Sequence, residues 1–335
     1  MKKFVAILLT LMLVLGMTAA VAEETTTYTD QETVTIYKSY RNVNTAGASP
    51  AETFTLEQDG DGTVTDGEAK GTIAPALGAI TGATYAYMGA TGEGAKAAIT
   101  VALPSYDKVG VYEYHLKEVA GDTAGVTYYT GDIKLVVTVI NGDDGKLRIA
   151  AVHTATADGT KSDTFENTYS AGILAIEKKV EGNLGDKQKD FSFTVTFTAP
   201  EGKTWEMKHD GEYMSINAAA NQYGTVQAST PTIGEKTITY TLTLKDGGRV
   251  AFGNLPYGVT YTVTEADYSG EGYTTDKTGD TGTIDAANKE ALFTNTKNGE
   301  IDTGVTTESL PYVVLMGFVV LAGAALLLKR KAHNN

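Results

Sequence analysis

The chain has no cysteine, so it holds no disulfide and no thiolate for metal binding, redox exchange or nucleophilic attack. Its histidines number four, His115, His153, His209 and His333, and they are scattered without the spacing of a zinc or iron site. No metal and no other cofactor is expected. Positive charge is also scarce: 27 Lys and Arg against 41 Asp and Glu leave a formal net charge of −14. That balance argues against nucleic acid and against anionic lipid headgroups as partners. The G-x-S-x-G and H-E-x-x-H signatures are absent, which removes the usual marks of a surface hydrolase. Asp59-Gly60-Asp61-Gly62 and Asn141 to Gly145 lack the spaced acids and distal glutamate of a calcium loop and read as turns. Between the two ends no long stretch keeps a 3.6-residue apolar period, so helix content should be low.

What is present begins with the ends. Residues 1–22 have the form of a secretory signal: Met1-Lys2-Lys3, an apolar stretch from Phe4 to Met17, and Ala20-Val21-Ala22 as a cleavage site. Residues 310–328 are an apolar run of membrane-spanning length, stopped by the basic tail 329–335 that begins Lys329-Arg330-Lys331. The body is thus expected outside the cell, held at its C-terminus. An exported protein of this size could use disulfides and has none, so any covalent bracing must come from another chemistry.

The body is built of short alternating runs rich in Thr, Val, Tyr and Ile, separated by turn clusters. Lys134 to Ile140 followed by Asn141-Gly142-Asp143-Asp144-Gly145 is one example, and Phe191 to Thr198 followed by Pro200-Glu201-Gly202 another. The spacing predicts an all-β protein of antiparallel sandwiches. An ordered trio then appears twice. Ile36-Tyr37-Lys38, Tyr114-His115-Leu116-Lys117-Glu118 and Phe165-Glu166-Asn167-Thr168 form the first set. Ile176-Glu177-Lys178, Tyr261-Thr262-Val263-Thr264-Glu265 and Phe293-Thr294-Asn295-Thr296 form the second. A further parallel accompanies them, since Leu103-Pro104 leads through Gly110 to Glu118 as Leu255-Pro256 leads through Gly258 to Glu265. The repeat divides the body into domains at 23–170 and 171–297, followed by a polar tether at 298–309.

Residues two apart on a strand share a face. Lys38 is in step with Val34 and Ile36, Lys178 with Leu174, Ile176 and Val180, Glu265 with Tyr261 and Val263, and Asn295 with Phe293. All six polar residues should therefore point into cores, whereas Lys179 has the wrong parity. A lone strand lysine is ordinarily solvated, but six inward polar groups need mutual partners or a reaction. Burial disfavours both the ammonium and the carboxylate, leaving a neutral amine beside a protonated acid. The amine is a nucleophile, the asparagine carboxamide an electrophile, and the acid can polarise the carbonyl and carry protons to departing ammonia. The product would be a Lys–Asn isopeptide bond. Buried ion pairs with a hydrogen-bonded asparagine are the alternative.

With these residues in place, the mature chain resembles the isopeptide-bonded backbone pilins of Gram-positive bacteria, of the T-antigen type. The resemblance implies two tandem immunoglobulin-like (CnaB-like) sandwiches, each joining a first-strand lysine to a last-strand asparagine with help from a glutamate. Lys38, Glu118 and Asn167 match the first set, and Lys178, Glu265 and Asn295 the second, with Glu118 and Glu265 in the catalytic role. It also implies a structural shaft subunit rather than an enzyme, exported to a cell-wall or surface pilus from a membrane-anchored precursor. Tension would then pass from first strand to last through each bond.

The implied partners are a sortase, identical subunits joined head to tail, and peptidoglycan or a basal pilin; the sequence names no host ligand. The common L-P-x-T-G signal is absent. Glu300-Ile301-Asp302-Thr303-Gly304 resembles the family's E-V-P-T-G variant, with Asp302 where the family has proline, and places cleavage between Thr303 and Gly304. Leu310-Pro311-Tyr312 reads instead as membrane entry. Lys161, just before the last strand of the first domain, matches the place of the family's linkage lysine; Lys146 is a weaker rival, and an ordinary solvated lysine is the plain reading of either. A monomeric wall-anchored adhesin or spacer with the same internal bonds is the alternative function.

Overall fold

The computed structural model describes residues 30–44, 48–205, 236–301 and 314–322, with five two-residue strands between 208 and 233. The signal segment 1–22, Thr303 and Gly304, and much of the apolar run 310–328 lie outside the described residues. Residues 314–322 are helical, and among the described residues no helix is long and apolar enough to cross a membrane.

The rest is strand. The first ten are β1 (Thr33–Asn42), β2 (Glu52–Gln58), β3 (Thr63–Gly67), β4 (Gly82–Tyr85), β5 (Ala95–Ala102), β6 (Gly110–Glu118), β7 (Val126–Thr127), β8 (Ile133–Asn141), β9 (Leu147–Thr156) and β10 (Thr164–Tyr169). They form one sheet in the order β5-β1-β10-β7 and a second in the order β4-β2-β6-β8-β9, with β3 paired to β6. Alternation sets which faces meet. In β6, Tyr112, Tyr114 and Leu116 are buried, and in β8 so are Ile133, Leu135, Val137 and Val139. These side chains pack against Ile36, Tyr40 and Phe165 of the facing sheet in one apolar core.

The second sandwich follows the same plan. It is formed by β11 (Ala171–Glu181), β12 (Phe191–Thr198), β13 (Thr237–Leu244), β14 (Arg249–Pro256), β15 (Thr260–Glu265), β16 (Thr274–Thr278), β17 (Thr281–Thr283) and β18 (Asn288–Thr296). One sheet runs β14-β11-β18-β16 with Ile216–Asn217 beside β14, and the other β13-β12-β15-β17 with Gln227–Ala228 beside β13. The sequence of β12 shows why it is a strand: Phe191, Phe193, Val195 and Phe197 are buried, while Ser192 and Thr194 face out. Aromatic and β-branched residues suit such a half-buried pleat, and each fully buried one contributes about 1.5 to 3 kcal/mol. The protein is thus all-β, two tandem immunoglobulin-like sandwiches with separate cores.

Only Ser170 separates β10 from β11, and the junction is closed by backbone bonds. Ser170 donates to the Gly125 carbonyl at 2.9 Å, and Tyr257 N–H donates to the Ser170 carbonyl at 2.9 Å. Gly125 has φ +78°, and a Cβ there would lie 2.7 Å from the Ser170 oxygen, so both conformation and space require glycine. On the other side Ala124 donates to the Thr204 carbonyl at 2.7 Å, and Thr204 N–H to the Asp122 carbonyl at 2.8 Å. The Asn44 side chain donates to the Tyr257 hydroxyl at 3.2 Å. β1 and β10 run toward this junction, and β11 and β18 run away from it.

Candidate functional site

In both sandwiches the first and last strands lie side by side and parallel, which antiparallel hairpin connections alone cannot produce. The registers coincide. Lys38 is opposite Phe165 and Tyr40 opposite Asn167; Lys178 is opposite Phe293 and Val180 opposite Asn295. Lysine and asparagine are therefore diagonal neighbours on the same face of adjacent strands. The glutamate arrives from the other sheet. Glu118 ends β6 opposite Leu56, and Glu265 ends β15 opposite Phe193, each projecting across the core. Lys38, Asn167, Lys178 and Asn295 are fully buried, and the Glu118 and Glu265 side chains are 0% and 3% exposed.

In the first sandwich the three side chains are in mutual contact. Lys38 Nζ donates to Glu118 Oε2 at 2.6 Å and to Asn167 Oδ1 at 2.9 Å, and Asn167 Nδ2 donates to Glu118 Oε1 at 2.5 Å. A fourth partner was invisible in the sequence: the backbone N–H of Tyr129 donates to Asn167 Oδ1 at 3.0 Å. The amine also sits 5.2 Å from the centre of the Tyr129 ring and 5.9 Å from that of Phe54. Burial among these rings pushes the Lys38 amine below the ordinary lysine range, against the attraction of Glu118.

The second sandwich brings its trio together less completely. Lys178 Nζ lies 3.0 Å from Glu265 Oε1, a charge contact whose angles do not make a directional hydrogen bond. Asn295 Nδ2 donates to the same Oε1 at 3.0 Å. Asn295 Oδ1 and Glu265 Oε2 are buried without a hydrogen-bond partner among the described residues. The amine lies 4.4 Å from the centre of the Phe191 ring. Burial lowers the Lys178 pKa and raises that of Glu265, each partly offset by the attraction of the other. Lys179, one residue on, is exposed and pairs with Glu181.

A buried amine of depressed basicity, 2.9 Å from a carboxamide oxygen and touching a carboxyl group, has the components of acyl transfer to nitrogen: nucleophile, electrophile and proton carrier. Contact in a dry core supplies the proximity that makes even a poor electrophile reactive. Of the remaining residues singled out in the sequence, Lys161 is exposed on the β9–β10 connection, where it forms an isolated bridge with Ala155. It shares an open depression with Val34, His153, Ser162 and Asp163. Lys146 is exposed in the β8–β9 hairpin, facing Asp144 at 4.0 Å. At the far end of the second sandwich, Asn183 holds the departing chain: its Nδ2 donates to the Gly299 carbonyl at 2.8 Å and its Oδ1 accepts from Gly299 N–H at 2.9 Å.

Comparison with known proteins agrees with the two-domain fold. Residues 34–170 match the family described as Spy0128-like isopeptide containing domain, and residues 172–297 match a domain family of unknown function, DUF7601. A protein named Pilin from Streptococcus pyogenes serotype M1 is 30% identical over 318 residues, 89% of this chain and 90% of that one. The crystal structure of the major pilin from Streptococcus pyogenes is 25% identical, covers 81% of this chain and 100% of its own, and superposes with a TM-score of 0.54. The T3.2 major pilin of the same species, at 21% identity, 80% and 99% coverage and a TM-score of 0.51, shares the fold.

Proposed function

Because this chain belongs to the family of Gram-positive major pilins, a structural protein of the cell-surface pilus carrying an isopeptide-type domain, we propose that it is the shaft subunit of a sortase-assembled polymer, braced by two internal Lys–Asn bonds. The observation that carries the reading is the buried contact of Lys38, Glu118 and Asn167, repeated in register by Lys178, Glu265 and Asn295. The domains are 23–170 and 171–297, each closed by its own bond.

The reaction in the first domain runs as follows. Lys38 passes a proton to Glu118, and its Nζ lone pair adds to Asn167 Cγ. Glu118, which accepts a hydrogen bond from Asn167 Nδ2, protonates that nitrogen; the Cγ–Nδ2 bond breaks and ammonia leaves. The surplus proton on the new amide returns through Glu118 to the ammonia. One lysine ammonium and one carboxamide thus become one secondary amide and one ammonium ion, with the carboxylate regenerated. Each chain does this once per domain, so the protein is a product of the chemistry and not a turnover enzyme.

The positions of the ends support head-to-tail growth. Lys161 precedes β10 at the pole away from the junction, and the chain leaves the second sandwich beyond β18 at the opposite pole, pinned by Asn183. Sortase would cleave between Thr303 and Gly304 and pass the threonine carbonyl to Lys161 of the next subunit, after export under the 1–22 signal and retention by the 310–328 span and basic tail. The terminal subunit would pass to peptidoglycan or a basal pilin. Intact-mass measurement of the purified chain tests the internal bonds: two ammonia masses should be missing, and an unmodified mass would leave only buried ion pairs. An SDS-resistant ladder from the native envelope tests polymerisation; a single band would favour the monomeric spacer.

A further inference from the structure

The two clusters share register and residue types, and among their differences one lies at the reacting oxygen. Asn167 Oδ1, the oxygen on which negative charge develops when the amine adds, accepts the Tyr129 backbone N–H at 3.0 Å, while Asn295 Oδ1 has no donor among the described residues. The geometry points to Tyr129 N–H as an oxyanion donor for the first bond, with no counterpart in the second, so that the two bonds form at different rates. This rests on the isopeptide reading above.

The donor is built into the local structure. β7 pairs with β10 for only two residues, Val126 with Tyr169 and Thr127 with Thr168, and the chain then leaves the strand before reaching Asn167. An N–H that would otherwise continue a ladder is released to the Asn167 side chain. The Tyr129 ring packs on Phe165 with centroids 5.3 Å apart, and a Cβ at Gly131 would lie 2.4 Å from the Tyr129 hydroxyl, so the bare glycine makes room for that ring. The loop closes onto β8 where Asp132 meets His115 at 2.8 Å. The turn is thereby fixed before any chemistry, which is what an oxyanion donor requires. In the second sandwich the neighbour of β18 stays in register instead: Thr275 is opposite Asn295 within a five-residue ladder. The backbone there is committed to strand pairing.

A fixed donor on a developing oxyanion is worth about 100-fold or more in rate when the site excludes water. The addition itself is unchanged: the amine–carbon bond forms, the carbonyl π electrons move to Oδ1 beside the Tyr129 N–H, and they return as ammonia departs.

The test replaces the Tyr129 backbone amide by an ester, introducing the α-hydroxy analogue of tyrosine at position 129 of the full chain. Ammonia loss from each domain is then followed by timed digestion and mass spectrometry, with the same amide-to-ester change at Asp143, in the exposed β8–β9 turn, as the control. We expect the ester at 129 to slow the Lys38–Asn167 bond by about 100-fold and to leave the Lys178–Asn295 bond at its own rate, and the ester at 143 to leave both bonds at the rates of the unaltered chain. A chain with the ester at 129 that closes its first bond at the unaltered rate overturns the inference while the isopeptide reading stands; no ammonia loss from the unaltered chain overturns that reading instead. Should the chain with the ester at 129 not fold, the unaltered chain decides: a first bond that does not form faster than the second rejects the donor role.

Discussion

The two sandwiches arrive at one chemical arrangement through different surroundings. In both, a parallel pair of first and last strands sets lysine diagonal to asparagine, and a strand end of the opposite sheet delivers the glutamate. In the first, every reacting heteroatom is held: amine on carboxamide oxygen, carboxamide nitrogen on carboxylate, backbone N–H on the same oxygen. In the second, one carboxylate oxygen takes both contacts, and the asparagine oxygen has no partner among the described residues. The difference separates two requirements. Register suffices to bring the trio together, while on the proposed reaction the loop beside the last strand would determine how well the transition state is met.

The sharpest way to break the comparison is to remove the acid from each domain in turn. Glu118→Ala should abolish ammonia loss in the first domain and leave the second intact, and Glu265→Ala should do the reverse, as read by intact mass and digestion. Loss in both domains from either change would mean that the sites are not independent. Next in size is stability. Each proposed bond would close a loop of over a hundred residues, 129 between Lys38 and Asn167, so by analogy with disulfide loop closure Asn167→Ala or Asn295→Ala should cost its own domain about 4 to 5 kcal/mol. Thermal melting would show one transition lowered and the other unmoved.

A smaller effect concerns pH. The ion pair and the reactive neutral pair hold the same number of protons, so the rate in the second domain should be level between the two pKa values and fall on both sides. Acid protonates Glu265 while Lys178 remains an ammonium, removing the nucleophile; alkali deprotonates Lys178 while Glu265 is a carboxylate, removing the proton carrier. Burial raises Glu265 above the ordinary 4.5 and lowers Lys178 below 10.5, so both limbs should lie inside those limits. Rates of ammonia loss after refolding across that range check this, and a profile rising steadily through 10.5 would contradict it. Smallest is the junction. Tyr257→Phe removes the hydroxyl that accepts from Asn44 and should cost about 0.5 to 1.5 kcal/mol at most, without changing ammonia loss in either domain.

Much of this arrangement is written in strand parity. Counting by twos from Ile36 and Ile176 reaches Lys38 and Lys178 and excludes Lys179, which the structure places outside and paired to Glu181. Parity also sends Asn167 and Asn295 inward with Phe165 and Phe293. That a first-strand lysine meets a last-strand asparagine came from family resemblance, and the parallel pairing that brings them together came only from the structure, because alternation says which face a residue occupies and nothing about which strand lies beside it. The Tyr129 donor had no sequence signal at all: every residue but proline carries a backbone N–H, and its direction here follows from where β7 leaves its partner. The junction was hidden for a similar reason, since its closure runs through the backbone of Ser170, Gly125, Ala124 and Thr204.

The most direct test of the central claim is peptide mapping of the purified full chain. The account predicts two branched peptides, one joining Lys38 to Asn167 and one joining Lys178 to Asn295, each lighter by one ammonia than its two linear parts. Recovery of all four residues in unbranched peptides of full mass would contradict it.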